Sequence, residues 1–300
     1  MIPADPDLAS PELPPATPED RLRTARDDWP RLPRRLPTRK PRLFAIREPI
    51  SISASWALSI ASILVPLAAW TLLSISGVVK KKEFLPTPAA VVGALGDMIA
   101  SGELWTDAAA SISRVGIGFG IAILISVPLG IVMGSFRAAQ AAAEPMISLL
   151  RYLPAAAFIP LFILWLGLGE TSKIGLLILG VVFFNTLMTA DVVRVVPREL
   201  LEVSYTLGAR RGEVLRKVLV PYALPGMIDA MRVNAAAAWN IVVVAELIAS
   251  TSGLGYRIVR SQRFMQTDRI FAVLVVIAVI GLTMDQSLRL LRDRVGRWVR

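Results

Sequence analysis

The side chains of this 300-residue chain that could do chemistry are carboxylates, guanidinium groups and amides, because it contains no histidine and no cysteine. Disulfides, thiolate metal sites, cysteine nucleophiles and histidine bases are therefore excluded, and no metal site is expected. The apolar segments also lack the clustered carboxylates that an intramembrane enzyme would need. The sequence therefore favours a protein that is not an enzyme.

Three residues of a late apolar segment recur every seven positions, which places Arg232, Trp239 and Glu246 in one stripe along a helix. Ionisable groups at bilayer depth are costly and usually mark a function. In one interpretation, the stripe faces a translocation path or the axis of a dimer. In the other, Arg232 extends to the headgroups, Glu246 lies at the opposite interface and Trp239 only packs.

Polar residues occur in two other apolar segments as well. Asn185 and Thr189, four residues apart, either line a polar path or form hydrogen bonds between helices. Arg151 lies one to two turns into the third apolar segment, and we expect its side chain to extend to the headgroups. The prolines at 154 and 160 remove helix hydrogen bonds nearby, which predicts either an unwound stretch or a tolerated kink.

A short basic cluster follows the fifth apolar segment, with Arg257, Arg260 and Arg263 at three-residue spacing. Such a cluster could attract an anion or an acidic soluble partner. It could equally pair with headgroup phosphates or with Asp268. Both interpretations stay open at this point.

A charged stretch, residues 194–225, separates two apolar segments and predicts two short helices joined by a sharp turn. Pro197 suits the start of a helix, and Gly208 suits a helix end where a left-handed residue is needed. A second helix is expected over residues 212–220, with Pro221 ending it. We therefore expect a rigid helix-turn-helix, a form suited to contact with a soluble partner.

This stretch resembles the EAA loop of binding-protein-dependent ABC importer permeases, in which Glu-Ala-Ala, Gly and Ile-x-Leu-Pro follow at fixed spacing. Val203 and Ser204 stand in place of the two alanines, and Val218 and Val220 in place of Ile and Leu. We call residues 196–225 the coupling loop. The resemblance implies that it docks on an ATPase through Glu202, Val203, Ser204, Leu207, Gly208, Ala209 and Pro221.

Four further segments extend the resemblance to the nitrate/sulfonate/taurine/bicarbonate subfamily of these permeases: residues 84–88, 113–119, 158–169 and 245–256. The resemblance implies an importer of a small anion, built from a homodimer of six-span subunits, two cytoplasmic ATPase subunits and an extracytoplasmic substrate-binding protein. The chain has no Gly-rich loop ending in Gly-Lys-Ser/Thr. No cofactor is therefore expected in this chain, and ATP with magnesium is expected in the partner.

The elements that must position these residues are apolar helices. Six segments are each close to the roughly 20 residues that cross a bilayer: 55–79, 114–136, 145–168, 174–195, 226–250 and 270–290. The runs are continuous and do not alternate, which favours helices over a barrel. We therefore expect an all-α membrane protein with six transmembrane helices, residues 51–295, and a cytoplasmic helix-turn-helix coupling loop.

Residues 1–50 precede the first span and are rich in proline and arginine, which predicts a disordered basic cytoplasmic tail. Its charges, the coupling loop and the C-terminal arginines fall on one side of a six-span topology. We therefore expect both termini to be cytoplasmic, in a multi-pass protein of the bacterial inner membrane. The net charge of +10 then reflects orientation in the lipid bilayer, and no nucleic-acid partner is expected.

The alternative class is an ion-gradient-driven secondary transporter or a channel. Such proteins usually carry coupling ionisable groups near the midplane and often contain inverted repeats. The sequence shows no convincing repeat, and carboxylates are sparse in the centres of its spans. Transport that survives ATP depletion but collapses with an ion gradient would favour this class.

Overall fold

The computed structural model describes residues 50–76 and 84–297, and all regular structure within these ranges is helical. The predicted tail, residues 1–50, lies almost wholly outside the described residues. The α-helices are α1 (Ile52–Ile75), α2 (Pro88–Ala100), α3 (Glu103–Ser135), α4 (Arg137–Leu150), α5 (Ile159–Leu166), α6 (Glu170–Arg194), α7 (Arg198–Thr206), α8 (Arg211–Val214), α9 (Val220–Ala249), α10 (Leu254–Arg263) and α11 (Thr267–Val295).

The chain divides into two units, residues 1–64 and 65–300. The described part of the first unit is residues 50–64. It holds the first turns of α1, which carry exposed apolar side chains. The rest of α1 belongs to the second unit, where the Trp70 ring stacks on Phe271 with centroids 5.2 Å apart. The Trp70 indole also donates a hydrogen bond to the Pro86 carbonyl at 3.0 Å.

Within residues 50–76 and 84–297, five helical stretches are long and apolar enough to cross a membrane, and a bent pair raises the number to six if it is one broken span. The five are α1, α3, α6, α11 and the continuous stretch Arg211–Ile248. The bent pair is α4 with α5, preceded by a 3₁₀ turn at Ala155–Phe158. The predicted all-α membrane fold is thereby confirmed.

The third span differs from the sequence prediction, which treats residues 145–168 as one segment. The chain turns by 79° between α4 and the stretch Ala155–Leu166. Pro154 lies in this break, where its fixed φ and missing N–H oppose a continuous helix. Of the two interpretations of the prolines, the structure therefore supports the unwound stretch over the tolerated kink.

The second span starts earlier than the predicted segment, residues 114–136, because α3 runs without interruption for 33 residues from Glu103 to Ser135. Its predecessor α2 begins after Thr87, because the Thr87 hydroxyl accepts a hydrogen bond from the Ala90 N–H at 3.2 Å and Pro88 follows at the first helical position.

Small residues allow α3 and α6 to pack closely. A Cβ atom on Gly130 would lie 2.6 Å from the Thr189 Cβ, and one on Gly134 would lie 2.6 Å from the Val193 Cβ. Gly118 meets Leu177 in the same way, whereas Gly116 and Gly120 face open space. Close packing thus explains three of the five glycines in this span.

Candidate functional site

The coupling loop begins with α7, which is anchored on one face and exposed on the other. Leu201 packs against a core cluster that includes Val196 and Leu219. Glu202 and Val203 lie on the exposed face, and the Val203 side chain is 59% exposed. The hydrophobic anchor fixes the position of α7, while Glu202 remains available to a partner.

Gly208 ends α7 in the way that the sequence predicts. Its φ of +83° is left-handed, and the Ala209 N–H donates to the Ser204 carbonyl at 3.0 Å. The Gly208 N–H donates to the Tyr205 carbonyl at 2.9 Å, which completes a Schellman motif. The direction of the chain after α7 is therefore set by backbone hydrogen bonds.

The second half of the coupling loop corrects the prediction for Pro221. This proline does not end a short helix, because α8, a π-helical turn at Leu215–Leu219 and α9 form one continuous stretch, Arg211–Ile248. The Val220 N–H bonds to the Leu215 carbonyl five residues back, and this π-helical turn accommodates Pro221, which has no N–H to donate. The loop is therefore joined to a membrane span without a flexible link.

The exposed side of the coupling loop carries large apolar residues beside its charges. Leu207 is 81% exposed and Tyr205 is about half exposed. Val195, just before the loop, is also largely exposed. Exposed apolar side chains along a charged loop are typical of a surface that another protein covers.

A buried ionic network lies at the end of the spans opposite the coupling loop. The Glu246 carboxylate, only 1% exposed, pairs with Arg114 and accepts a hydrogen bond from the Ser111 hydroxyl at 2.7 Å. The backbone N–H of Gly255 donates to the same carboxylate at 2.8 Å. Arg114 also pairs with Glu170, so one guanidinium joins α3, α6 and α9.

The turn between α9 and α10 closes over this network. Gly253 has a left-handed φ of +117°, and its N–H donates to the Asp107 carboxylate at 2.9 Å. A Cβ atom there would lie 2.5 Å from both Arg114 Nη1 and Glu246 Oε1, so only glycine fits. The network therefore holds the turn in one position.

The predicted basic cluster is split by this arrangement. Arg257 is buried and pairs with Asp107 at 2.6 Å and with Glu103 at 2.8 Å. Burial disfavours its charged form, but these carboxylates outweigh burial and raise the pKa of the Arg257 guanidinium. Arg260 also lies 3.9 Å from Glu103, but it is about half exposed and, with Arg263 and Tyr256, lines a cavity of about 290 Å³.

The predicted stripe on the fifth span is divided between two different surroundings. Arg232 pairs with Asp285 at 2.9 Å and with Asp229 at 3.0 Å. Trp239 packs beside Gly281, and both Arg232 and Trp239 line a cleft of about 250 Å³ between α9 and α11. Glu246 lies in the ionic network and not in this cleft.

The other predicted polar pair lies inside the packed spans. Asn185 is fully buried and donates a hydrogen bond to the Ser126 hydroxyl at 2.6 Å. Its carbonyl accepts a hydrogen bond from Asn234 at 3.2 Å. The Thr189 side chain is also buried, and its hydroxyl has no hydrogen-bond partner among the described residues.

A cavity with a volume of about 610 Å³ lies beside the break in the third span. Its polar lining residues are Arg151, Tyr152, Asn234 and Asn240. Its apolar wall comes from the break itself, α6 and α9: Leu150, Leu153, Pro154, Ala155, Ala156, Phe158, Leu176, Leu179, Gly180, Phe183, Phe184, Met188, Val233, Ala237, Ile241 and Val244.

The sequence did not predict several residues of the ionic network and of the 610 Å³ cavity. It singled out Glu246 but not Arg114, although both lie in segments that carry the family resemblance. It also passed over Asn234 and Asn240, because a single amide in an apolar run has no spacing that distinguishes a cavity from a helix contact. It predicted that Arg151 extends to the headgroups and did not predict that this residue lines a cavity.

Comparison with known proteins places these features in a family. Residues 126–297, which include the coupling loop, match the family described as binding-protein-dependent transport system inner membrane component. The match begins inside α3 and ends after α11, so it covers more than half of the chain.

Individual relatives extend the similarity toward the N-terminus. A putative aliphatic sulfonates transport permease protein, SsuC of Bacillus subtilis, is 36% identical over 232 residues, 77% of this chain and 84% of that protein. The taurine transport system permease protein TauC of Escherichia coli is 35% identical over 255 residues, 82% and 91% of the two chains. Among solved structures, the inward-facing MetNI methionine ABC transporter has a chain with a TM-score of 0.55 at 19% identity, covering 64% of this chain and 93% of its own.

Proposed function

Because this chain belongs to the family of binding-protein-dependent transport system inner membrane components, we propose that it carries a small anion of the sulfonate or taurine class across the membrane. The chain is a multi-pass permease subunit of an ABC importer. In this family ATP is hydrolysed by a separate subunit. What we propose beyond this is the class of substrate, the partner subunits and the orientation in the membrane.

The observation that carries the coupling part of the proposal is the rigid connection between α7 and α9. A displacement of α7 passes through the hydrogen-bonded turn at Gly208 into a helical stretch that continues to Ile248. The exposed Glu202 with its apolar surroundings is then the contact for a cytoplasmic ATPase, and a basic residue of that ATPase is its ion-pair partner. ATP-driven movement of the partner would thereby rearrange the spans.

The remaining assembly follows from the same proposal. The coupling loop and both termini face the cytoplasm, and a second copy of this permease completes the membrane part. A substrate-binding protein delivers the anion on the opposite side, where Arg260 and Arg263 line an open cavity that suits an acidic partner. The names of the sulfonate and taurine relatives support the anion class.

The coupling claim is tested by Glu202→Lys in the complete importer, reconstituted with its ATPase and binding protein in lipid vesicles. We expect the complex to assemble but its substrate-stimulated ATP hydrolysis and uptake to fall by about tenfold or more, since a like charge replaces one partner of a desolvated ion pair. Radiolabelled sulfonate uptake and phosphate release measure the two activities.

Glu199→Lys is the matched control, because Glu199 is also exposed on α7 but lies one turn before Glu202. It should retain most of the wild-type activity. Normal substrate-stimulated hydrolysis in the Glu202→Lys complex would count against a coupling role for this carboxylate. Uptake that continues without ATP but follows an ion gradient would instead favour a secondary transporter.

A further inference from the structure

The 610 Å³ cavity combines a single cationic group with a largely apolar wall. Arg151 is its one charged side chain among the lining residues that the structure describes, and no carboxylate lines it. Such a cavity suits a ligand with one negative head and an apolar body, because each part then meets a matching surface.

Arg151 has donors to spare for such a head. It follows the last residue of α4, and its guanidinium lies over the Tyr152 ring at 5.0 Å from the centroid. One terminal nitrogen donates to the Tyr152 hydroxyl at 3.2 Å. The Arg151 Nε–H is buried and has no hydrogen-bond partner among the described residues. A buried guanidinium nitrogen without an acceptor is costly, and an anion would supply the acceptor.

Tyr152 adds a second donor. Its oxygen accepts the hydrogen bond from Arg151, so its own hydrogen is free to point toward an anion in the same cavity. Both residues lie at the break in the third span, where the backbone turns by 79° and brings them toward α6 and α9. The break thus places two donors side by side.

The cavity lies at mid-depth of the membrane part. Its α6 lining extends from Leu176 to Met188, which centres on the middle of this 25-residue helix. Apolar side chains form most of the lining at this depth, so a guanidinium contact with an anion is worth more than it would be at a headgroup. Gly180 allows α6 to approach Ala155 and Ile241 closely, because a Cβ atom at this position would lie 2.9 Å and 2.5 Å from their side chains.

We propose that Arg151 and Tyr152 form a membrane-embedded binding site for an organic monoanion with an apolar tail, such as an alkanesulfonate, on its way through the permease. This inference rests on the proposed function and adds a specificity to it. A zwitterion such as taurine would place an unpaired ammonium against the apolar wall, and nitrate would leave that wall without contact. The site therefore favours alkanesulfonates over both.

The test uses the complete importer in lipid vesicles, with radiolabelled pentanesulfonate, taurine and nitrate as probes. We expect Arg151→Gln to lower pentanesulfonate uptake by about tenfold or more, since a charged hydrogen bond is lost. Tyr152→Phe keeps the cation and the ring, and should raise the half-saturating pentanesulfonate concentration by only a few fold. Arg137→Gln, at the exposed start of the same helix, should behave as the wild type.

A third variant tests the apolar wall. Ala237→Phe fills part of the cavity and should reduce uptake of pentanesulfonate more than uptake of ethanesulfonate. Wild-type pentanesulfonate uptake in the Arg151→Gln complex would overturn the site, and so would a preference of the wild-type importer for taurine or nitrate. Loss of the permease dimer in Arg151→Gln would also overturn it, because the cavity would then be a contact between copies. If the wild type carries no anion at all, the proposed function itself fails.

Discussion

At the scale of single residues, the contrast between Glu246 and Glu144 separates a buried ion pair from a surface one. Glu246 and Arg114 are both almost fully buried, and Glu246 has two further donors in Ser111 and the Gly255 backbone. Glu144 pairs with Arg194 at 3.3 Å, where both side chains are about one-third exposed. We therefore expect the loss of a partner to lower the stability of the subunit more at the buried pair than at the surface pair.

Arg114→Met should destabilise the subunit by about 3–5 kcal/mol, because it leaves the Glu246 charge buried without its partner. Glu144→Gln should cost about 0–1 kcal/mol, since water and salt screen that pair. The thermal unfolding midpoint of the purified complex in detergent, read from intrinsic tryptophan fluorescence, measures both changes. Equal midpoints for the two variants would show that the buried network contributes little.

At the scale of elements, the coupling loop depends on a turn that only one residue type adopts without strain. Gly208 has φ of +83° and no steric neighbour, so a side chain there meets only the backbone penalty. Gly212 also has open space around it, but it lies within α8 and does not have a positive φ. A comparison of substitutions at the two glycines therefore separates the effect of backbone conformation from the effect of the space around the residue.

Gly208→Ala should destabilise the turn by about 1–2 kcal/mol and lower substrate-stimulated ATP hydrolysis, because α7 loses its fixed direction. Gly212→Ala should be neutral or slightly stabilising, since alanine is the better helix former. Limited proteolysis of the coupling loop, compared with hydrolysis rates in vesicles, checks both statements. If both variants behave alike, the left-handed turn is not what transmits the movement.

The elements also show where sequence reasoning succeeds and where it stops. The spacing of Glu202, Gly208 and Pro221 predicts the loop and its sharp turn, because turn geometry depends on local residue types. The same reasoning places the end of a helix at Pro221, since it cannot see that a π-helical turn accommodates the proline. Local signals fix the presence of an element better than its ends.

At the scale of the whole molecule, the apolar runs predict the membrane fold because hydrocarbon thickness sets the length of a span. They do not predict the cavity or the ionic network, since both depend on which helices become neighbours. Arg114 and Glu246 are 132 positions apart, and Arg151 meets the α9 wall only through the 79° break. Contacts of this kind follow from tertiary packing, which no local pattern encodes.

The whole-molecule claim is that the coupling loop passes force from an ATPase to the spans, and a cross-link tests it most directly. The chain contains no cysteine, so Leu207→Cys introduces a single thiol on a side chain that is 81% exposed. Phe264→Cys, 67% exposed after α10 at the opposite end of the spans, is the matched control. In the assembled importer, a thiol-to-amine cross-linker should join the first variant to the ATPase subunit and leave the control unjoined to it. Cross-linking of the Leu207→Cys permease to the substrate-binding protein, or to no subunit of the complex, would contradict the account.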